Sequence, residues 1–400
     1  MRSDMKKTLQ LYIHIPFCVK KCEYCDFLSF SANDVSIGND VIQSSYVQSL
    51  VEELDFYGQK YHDRLISTIF VGGGTPSFLD EKLMTQIFNA VYRNFEVAKD
   101  AEITIECNPG TVTDGKLRSY QNMGINRLSI GLQSANNEEL KILGRIHTFE
   151  QFLQTYDKAR NYGFSNINVD LMSSLPNQTA KTFEKSLKKV IGLQPEHISA
   201  YSLIIEEGTP FYEKYEKDVR KREDGLQTEF LPNEEEEYRT TKLTRELLQS
   251  EGYHWYEISN FAKKGKECRH NIGYWKRADY LGVGLGAASL IKNVRYTNTD
   301  DIFQYRKAPK QDFRGMVKET EVLERTAQME EFMFLGLRMT EGVFREEFES
   351  NFGIEIDSIY GDALKRLQKE ELLLQNEGRI YLTEQGIDVS NYVLSQFLFM

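Results

Sequence analysis

The chain is predicted to be an α/β protein, a partial (β/α)6 barrel followed by a smaller C-terminal α+β domain of winged-helix-like type. Three observations predict this. Short apolar segments alternate with amphipathic ones over the first two hundred residues, the rhythm of strands buried on both faces between crossover helices. There are six such units, fewer than the eight that close a full barrel. Near the end, a helix–helix–hairpin order replaces the rhythm.

The expected strands are Leu9–Phe17, Ser67–Gly72, Glu102–Cys107, Arg127–Gly131, Asn166–Met172 and His197–Leu203, all rich in Ile, Val and Leu. Between them the stretches Glu81–Phe95, Asp114–Gly124, Phe149–Tyr162 and Lys181–Gly192 are amphipathic. All but the first end in or before a glycine, as helices commonly do. Right-handed crossovers of this length make the sheet parallel and place ligands at the C-terminal ends of its strands. After Glu206 the pattern loosens through the charged run Lys217–Glu229. Asn233-Glu-Glu-Glu-Glu237 then precedes an apolar-periodic segment to Leu248. Asn is a good N-cap and acidic residues suit a first turn, so this run reads as a solvated helix start rather than a metal site.

A further boundary is expected near Arg306–Val317. Beyond it come helices over Glu324–Leu337, Arg345–Phe352 and Ile359–Glu370. Strands over Leu372–Gln375 and Arg379–Leu382 follow, and a closing helix over Asp388–Phe397. The expected domains are 1–205 for the core, 206–310 for a barrel extension and 311–400 for the small domain. Winged-helix modules often bind DNA. The chain carries 49 basic and 60 acidic residues, a net charge of −11. That balance points away from nucleic acid and towards protein packing or partner docking.

Five cysteines in 400 residues, three of them in one short loop, do not form a disulfide framework. The start of the chain lacks the apolar run of a signal sequence, and no stretch approaches the roughly 20 apolar residues of a membrane span. A reducing cytoplasm is the expected compartment.

The loop Cys18-Val-Lys-Lys-Cys22-Glu-Tyr-Cys25 is the most informative stretch. Thiolates suit iron–sulfur clusters or zinc. Three sulfurs leave one corner of a cuboidal cluster open to a small molecule. A zinc site would need a fourth ligand, for which His14 and Cys268 are candidates. The C-x3-C-x2-C spacing after an apolar strand resembles the cluster loop of the radical S-adenosylmethionine (SAM) superfamily, in which the cluster is [4Fe–4S] and SAM occupies the open iron.

Further motifs sit at strand ends: Val71-Gly-Gly-Gly-Thr-Pro76, Glu106-Cys-Asn-Pro109, Ser129-Ile-Gly-Leu-Gln133, Leu143-Gly-Arg145 and Asn168-Val-Asp170. Glycines let the backbone approach a ligand. Carboxylates, an amide and an arginine match the ammonium, sulfonium, carboxylate and diol of SAM. Taken together they resemble the coproporphyrinogen oxidase-like branch of the superfamily. That resemblance implies SAM contacts at Tyr12, Gly73, Gly74, Thr75, Glu106, Gln133, Arg145 and Asp170, and cluster ligation by Cys18, Cys22 and Cys25. It assigns no catalytic side chain.

Two features separate the members of that branch. The oxygen-independent oxidase has a fourth cysteine where this chain has Phe27, and a long covering segment ahead of its cluster loop, where this chain has 17 residues. The run Cys268-Arg-His270-Asn271-Ile-Gly-Tyr274-Trp275 resembles the H-N-x-x-Y-W signature associated with heme in HemW-type chaperones. Imidazole is a common heme ligand, and Tyr and Trp offer faces for stacking. His270, Asn271, Tyr274 and Trp275 are therefore expected heme contacts, with Arg269 as a propionate partner and Cys268 as a rival axial ligand. The bland alternative has His270 and Asn271 bracing the barrel mouth over the SAM pocket. The chain departs from the family at Ala288, where a histidine is usual. The resemblance implies a heme chaperone that hands heme to an acceptor protein. A membrane-associated respiratory component is one candidate acceptor, and a homodimer is a candidate assembly. The alternatives are the oxidase that decarboxylates coproporphyrinogen III and a tRNA- or protein-modifying radical enzyme.

Overall fold

The structure is a computed structural model and describes residues 6–32, 34, 40–307 and 313–399. All of the expected core strands form: β1 (Thr8–Ile15), β2 (Leu65–Gly73), β3 (Glu96–Cys107), β4 (Arg127–Gln133), β5 (Ile167–Ser173) and β6 (His197–Ser202). They pair in sequence order and all in parallel. Successive side chains alternate between the two faces of such a sheet. Leu11, Ile13, Ile69, Val71, Ile105, Ile130, Val169 and Leu171 form the outward set and are fully buried against the helices. Gln10, Thr68, Glu102, Arg127, Asn168 and His197 belong to the inward set, equally buried but polar. Uniformly apolar strands are expected; the inner face is instead polar, with Gln10, Thr68 and Glu102 bonded to Arg269 and His270 and Asn168 to His197.

The outer helices are α1 (Asp40–Lys60), α2 (Glu81–Asn94), α3 (Asp114–Asn122), α4 (Asn137–Ile142), α5 (Phe149–Asn161) and α6 (Ala180–Ile191). Thr148 and Thr179 start α5 and α6 with capping boxes, which satisfy otherwise orphaned N–H groups. The sequence reading missed α1, although Ile42, Tyr46, Leu50, Leu54 and Tyr57 bury one stripe of it.

After β6 come α7 (Pro210–Glu223) and α8 (Glu234–Ser250). Asn233 Oδ1 accepts from the Glu236 N–H at 2.9 Å, so the acidic run opens a helix as expected. β7 (His254–Glu257) and β8 (Asn260–Ala262) then add antiparallel strands beside β6. Past α9 (Arg269–Trp275), β9 (Tyr280–Val283) crosses to the opposite edge and pairs in parallel with β1. β10 (Ala288–Ile291), β11 (Val294–Asn298) and β12 (Val317–Val322) continue it antiparallel. Among the described residues the sheet runs β12-β11-β10-β9-β1-β2-β3-β4-β5-β6-β8-β7. The barrel is partial, and the extension widens both of its edges.

The expected boundary after residue 310 lies outside the described residues. β12, just beyond it, is hydrogen-bonded into the large sheet rather than the small domain. That domain holds α10 (Arg325–Gly336), α11 (Arg345–Phe352), α12 (Ile356–Lys369) and a small antiparallel sheet. The sheet comprises β13 (Val343–Phe344), β14 (Leu373–Asn376) and β15 (Arg379–Leu382). The closing helix is not continuous: α13 (Glu384–Asp388) and α14 (Ser390–Ser395) meet at Val389. Arg245 of α8 holds this end, donating to Asp388 at 2.6 Å and to the Glu384 carbonyl. No helix among the described residues is long and apolar enough to cross a membrane.

Glu53 of α1 ties the outer layer to the extension. Its fully buried carboxylate accepts from the Gly284 N–H at 2.8 Å, Asn298 Nδ2 at 2.7 Å and the Tyr305 hydroxyl at 2.5 Å. Burial nevertheless pushes its pKa up to about 7. The folded state therefore holds a proton that the unfolded chain releases near its ordinary carboxylate range. This contribution is full below about pH 4 and lost as pH rises through 7. Chemical denaturation of Glu53→Gln should show a shallower fall in stability between pH 5 and 7.5 than the wild type. The slopes should differ by about 2–3 kcal/mol over that window, and parallel curves would refute it.

Candidate functional site

The cysteine loop leaves β1 at its C-terminal end and is fastened to the glycine run that ends β2. Gly74 N–H donates to the Ile15 carbonyl and Thr75 N–H to the Phe17 carbonyl, both at 2.8 Å. Gly73 has φ +115°, and a Cβ there would lie 2.6 Å from the His14 ring. A Cβ on Gly74 would stand 3.0 Å from Cys18 Sγ. The two glycines are thus required by conformation and by close approach.

Cys18, Cys22 and Cys25 line one cavity of about 340 Å³ together with Gly73, Gly74, Thr75, Glu106, Gln133, Arg145 and Asp170. Two thiols have donors in place. Thr75 Oγ1 lies 3.4 Å from Cys18 Sγ, and the Arg145 guanidinium 3.5 Å from Cys22 Sγ. Burial raises the Cys18 thiol and pushes Cys25 up to about 11. Such thiols become thiolates when a metal takes the place of the proton.

Two half-buried, desolvated carboxylates line the same cavity. Burial, then the proximity of Asp170, pushes Glu106 up to about 8, although Gly73 N–H donates to its Oε2 at 3.1 Å. Burial also raises Asp170, against hydrogen bonds from Asn168 Nδ2 at 2.7 Å and Ser129 Oγ at 3.3 Å. Two desolvated carboxylates in one cavity oppose each other's ionisation until a cation arrives. Arg145 is anchored by the Gly131 carbonyl at 2.7 Å and Asn108 Oδ1 at 2.9 Å, and its buried Nε has no partner.

This donor set fits a cluster and a cationic cofactor. Three soft ligands and an arginine that offsets their charge line one cavity together with two carboxylates that suit an ammonium or sulfonium. Zinc fits less well. Among the described residues, no three His, Cys, Asp or Glu side chains converge on one point as a single ion needs. Neither proposed fourth ligand reaches the loop. His14 bonds the Leu28 carbonyl at 2.9 Å and the Tyr12 hydroxyl at 3.0 Å, while Cys268 lies against Glu102, near the middle of β3.

Several expected site residues are placed elsewhere. Tyr12 does not line the cavity; its ring stacks on Phe70 and its hydroxyl meets His14. The Cys268–Trp275 segment does not brace the barrel mouth. It forms α9 at the N-terminal ends of the strands, where Glu102 accepts from the Arg269 and His270 N–H groups at 3.0 and 3.1 Å. His270 is 1% exposed, with Nδ1 2.7 Å from Thr68 Oγ1, Nε2 2.9 Å from the Tyr274 hydroxyl and its ring against Phe70. Both ring nitrogens are engaged, so this imidazole is not free to ligate iron in this structure. Cys268 is fully enclosed. Arg269 donates to the Asp100 carbonyl at 2.7 Å. Trp275, at the far end of α9, lines a second cavity of about 600 Å³ with Phe332, Met339 and Phe344. Ala288 begins β10, away from both cavities.

Residues that sequence reasoning left unassigned also line the first cavity, among them Tyr24, Asn108, Met172 and Tyr201. Tyr201 donates to Gln133 Oε1 at 2.9 Å and holds that amide in place. Asn108 and Tyr201 follow from the strand-end rule, since each lies at or just past the end of a parallel strand.

Residues 12–190 match the Radical SAM superfamily, and residues 323–389 match the HemN C-terminal domain. The chain is 34% identical to the heme chaperone HemW of Lactococcus lactis, over 98% of each chain. It is 36% identical to the heme chaperone HemW of Escherichia coli, covering 94% of this chain and 92% of that one. The solved structure of coproporphyrinogen III oxidase (HemN) from Escherichia coli, a radical SAM enzyme, covers 99% of this chain and 91% of its own. It superimposes with a TM-score of 0.81 at 22% identity, a likeness of fold that bears out the partial barrel and its C-terminal domain. Near-full-length identity to curated relatives settles the matter: the chain belongs to the HemW family of the radical SAM superfamily, whose members are built around a [4Fe–4S] cluster and SAM.

Proposed function

We propose that this protein is a heme chaperone. In this reading it carries a [4Fe–4S] cluster on Cys18, Cys22 and Cys25, binds SAM beside it, and passes heme to an acceptor protein. The observation that carries the reading is the first cavity, in which three thiols face two desolvated carboxylates. Bound there, the cluster supplies an open iron and an electron. The chain's own residues do the rest. Glu106 and Asp170 would pair with the cationic groups of SAM and Arg145 with its carboxylate, while the glycine run would offer backbone groups and Gln133 an amide.

For heme, Trp275 is the member of the H-N-x-x-Y-W run that lines an open cavity. The indole, Phe332, Phe344 and the Met339 thioether make an apolar bed for a flat macrocycle. Arg338 already lies over the indole face at 4.4 Å. In this reading His270, held between Thr68 and Tyr274, does not bind iron. The oxidase alternative is disfavoured by Phe27, which is 66% exposed at the cavity where the oxidase has its extra cysteine.

Anaerobically reconstituted protein should hold about four irons and four sulfides per chain, and the Cys18, Cys22 and Cys25 triple alanine variant none. A full cluster in that variant would sink the assignment.

SAM affinity should rise with pH from 6 to 8.5. The carboxyl of Glu106, held up near 8, must lose its proton before it can pair with a cation. Glu106→Gln should bind SAM more weakly and lose most of that rise, the remainder belonging to the ligand's own amine. Calorimetric titration across this range checks it, and identical pH profiles would contradict the role.

Heme titration should saturate near one equivalent, and Trp275→Ala should weaken it by about tenfold, as loss of a stacked aromatic anchor does. Incubation with coproporphyrinogen III, SAM and a strong reductant should give no decarboxylated product by mass spectrometry. Multiple turnovers would instead promote the oxidase.

A further inference from the structure

Beneath Asp170 runs a chain of hydrogen bonds in which every link has one direction. Asn168 Nδ2 donates to Asp170 Oδ1 at 2.7 Å and lies 2.8 Å from Ser129 Oγ. A carboxylate oxygen accepts, so the amide must turn its NH2 towards Asp170 and its oxygen away. That oxygen meets Ser199 Oγ at 3.2 Å and His197 Nδ1 at 2.6 Å. An oxygen acceptor needs an N–H, which places the imidazole proton on Nδ1. The ring is neutral, because burial, followed by the Arg127 guanidinium, holds its pKa well below the ordinary histidine range. Its Nε2 therefore keeps a lone pair and accepts from the Tyr256 hydroxyl at 2.8 Å. The Tyr256 oxygen in turn accepts from the Cys268 N–H at 3.2 Å, at the start of α9.

His197 and Asn168 are 1% and 2% exposed, and neither lines the SAM cavity. Without the imidazole, the Asn168 oxygen loses its shortest partner in a place where water does not replace it. The amide is then free to turn and present oxygen to oxygen at Asp170, releasing the carboxylate from its ligand-facing rotamer. We propose that His197 is a positioning residue for SAM binding, acting through Asn168 to orient Asp170, with Tyr256 and the α9 segment fixing its tautomer from below. The inference rests on the assignment of SAM to this cavity. It gives the floor of the barrel a part in cofactor recognition.

Glutamine separates orientation from packing. A Gln at 197 can donate from its amide nitrogen to Asn168 and accept from Tyr256 at its amide oxygen, whereas leucine fills the space and does neither. SAM binding to reconstituted protein is measured by titrating the electron paramagnetic resonance signal of the reduced cluster, with iron content and far-ultraviolet circular dichroism as controls. His197→Leu should weaken SAM binding about tenfold, as loss of an outer-shell partner does, with the cluster retained. His197→Gln should stay within about threefold of wild type.

Wild-type affinity in His197→Leu overturns the inference, and so does an equal loss in both variants, which would mean packing alone. If His197→Leu does not fold, Tyr256→Phe and Asn168→Ser decide: wild-type affinity in both overturns the chain, and weakened affinity with intact cluster in both supports it. A wild-type protein that holds its cluster yet binds no SAM refutes the cavity assignment instead.

Discussion

A parallel sheet that curls only part of the way has an inner face that is neither dry core nor open surface, and filling that face is the constraint on which this molecule depends. Arg127, Glu102, Asn168, His197 and His270 are all at least 94% buried inside the curve. Isolated, each would cost several kcal/mol. Four of them meet a complementary hydrogen-bond partner, while Arg127 has Glu102 and Tyr256 as electrostatic neighbours and a buried Nε without a partner. The Glu102 carboxylate receives the first N–H groups of α9, His270 is held between Thr68 and Tyr274, and His197 lies between Asn168 and Tyr256. Alpha-9 is therefore a plug. It closes the lower end of the sheet with polar complementarity and leaves the upper end open to a ligand.

What was legible in the sequence follows from this geometry. The strands were legible because the outward half of each is aliphatic, and the cysteine loop because its spacing is local. The strand-end motifs stand out because Gly73, Glu106 and Gln133 fall at or next to the last residue of their strands, while Asp170 sits at the centre of its own. Tyr12 is not among the residues lining the cavity, a matter of depth. It lies on the inward face, and the sequence does not say how far below the rim its ring packs. His270 was misplaced for a different reason, since its backbone partner Glu102 is 168 residues away and nothing local to α9 indicates which end of the sheet it enters. Alpha-1 was missed although its buried stripe is regular, because the segment carries Gln, Ser and Glu among its apolar positions. Glu53 in that stripe is a core residue only because Gly284, Asn298 and Tyr305 converge on it.

The upper cavity is built to be unsatisfied without its ligands. Thiols raised by burial, a carboxyl held near 8 and an arginine Nε with no partner all cost stability as they stand. One negative cluster and one cationic cofactor bound together would relieve all of them. Buried groups with displaced pKa values gather where function needs them, and here they occupy the strand ends that the parallel topology already reserves for ligands.

The two cavities also bear on the proposed separation of heme from radical chemistry. They share no lining residue. The first opens at the C-terminal ends of the strands, and the second lies beyond the plug, between α9 and the small domain. A macrocycle stacked on Trp275 is separated from the cluster by the polar interior of the barrel. Hydrogen abstraction requires reacting atoms in near contact, so a heme held there is out of reach of any radical formed above. The hydrogen-bonded chain through Tyr256, His197 and Asn168 is then what joins the two ends. In the proposed reading it passes orientation, not atoms or electrons, between the segment that carries Trp275 and Asp170.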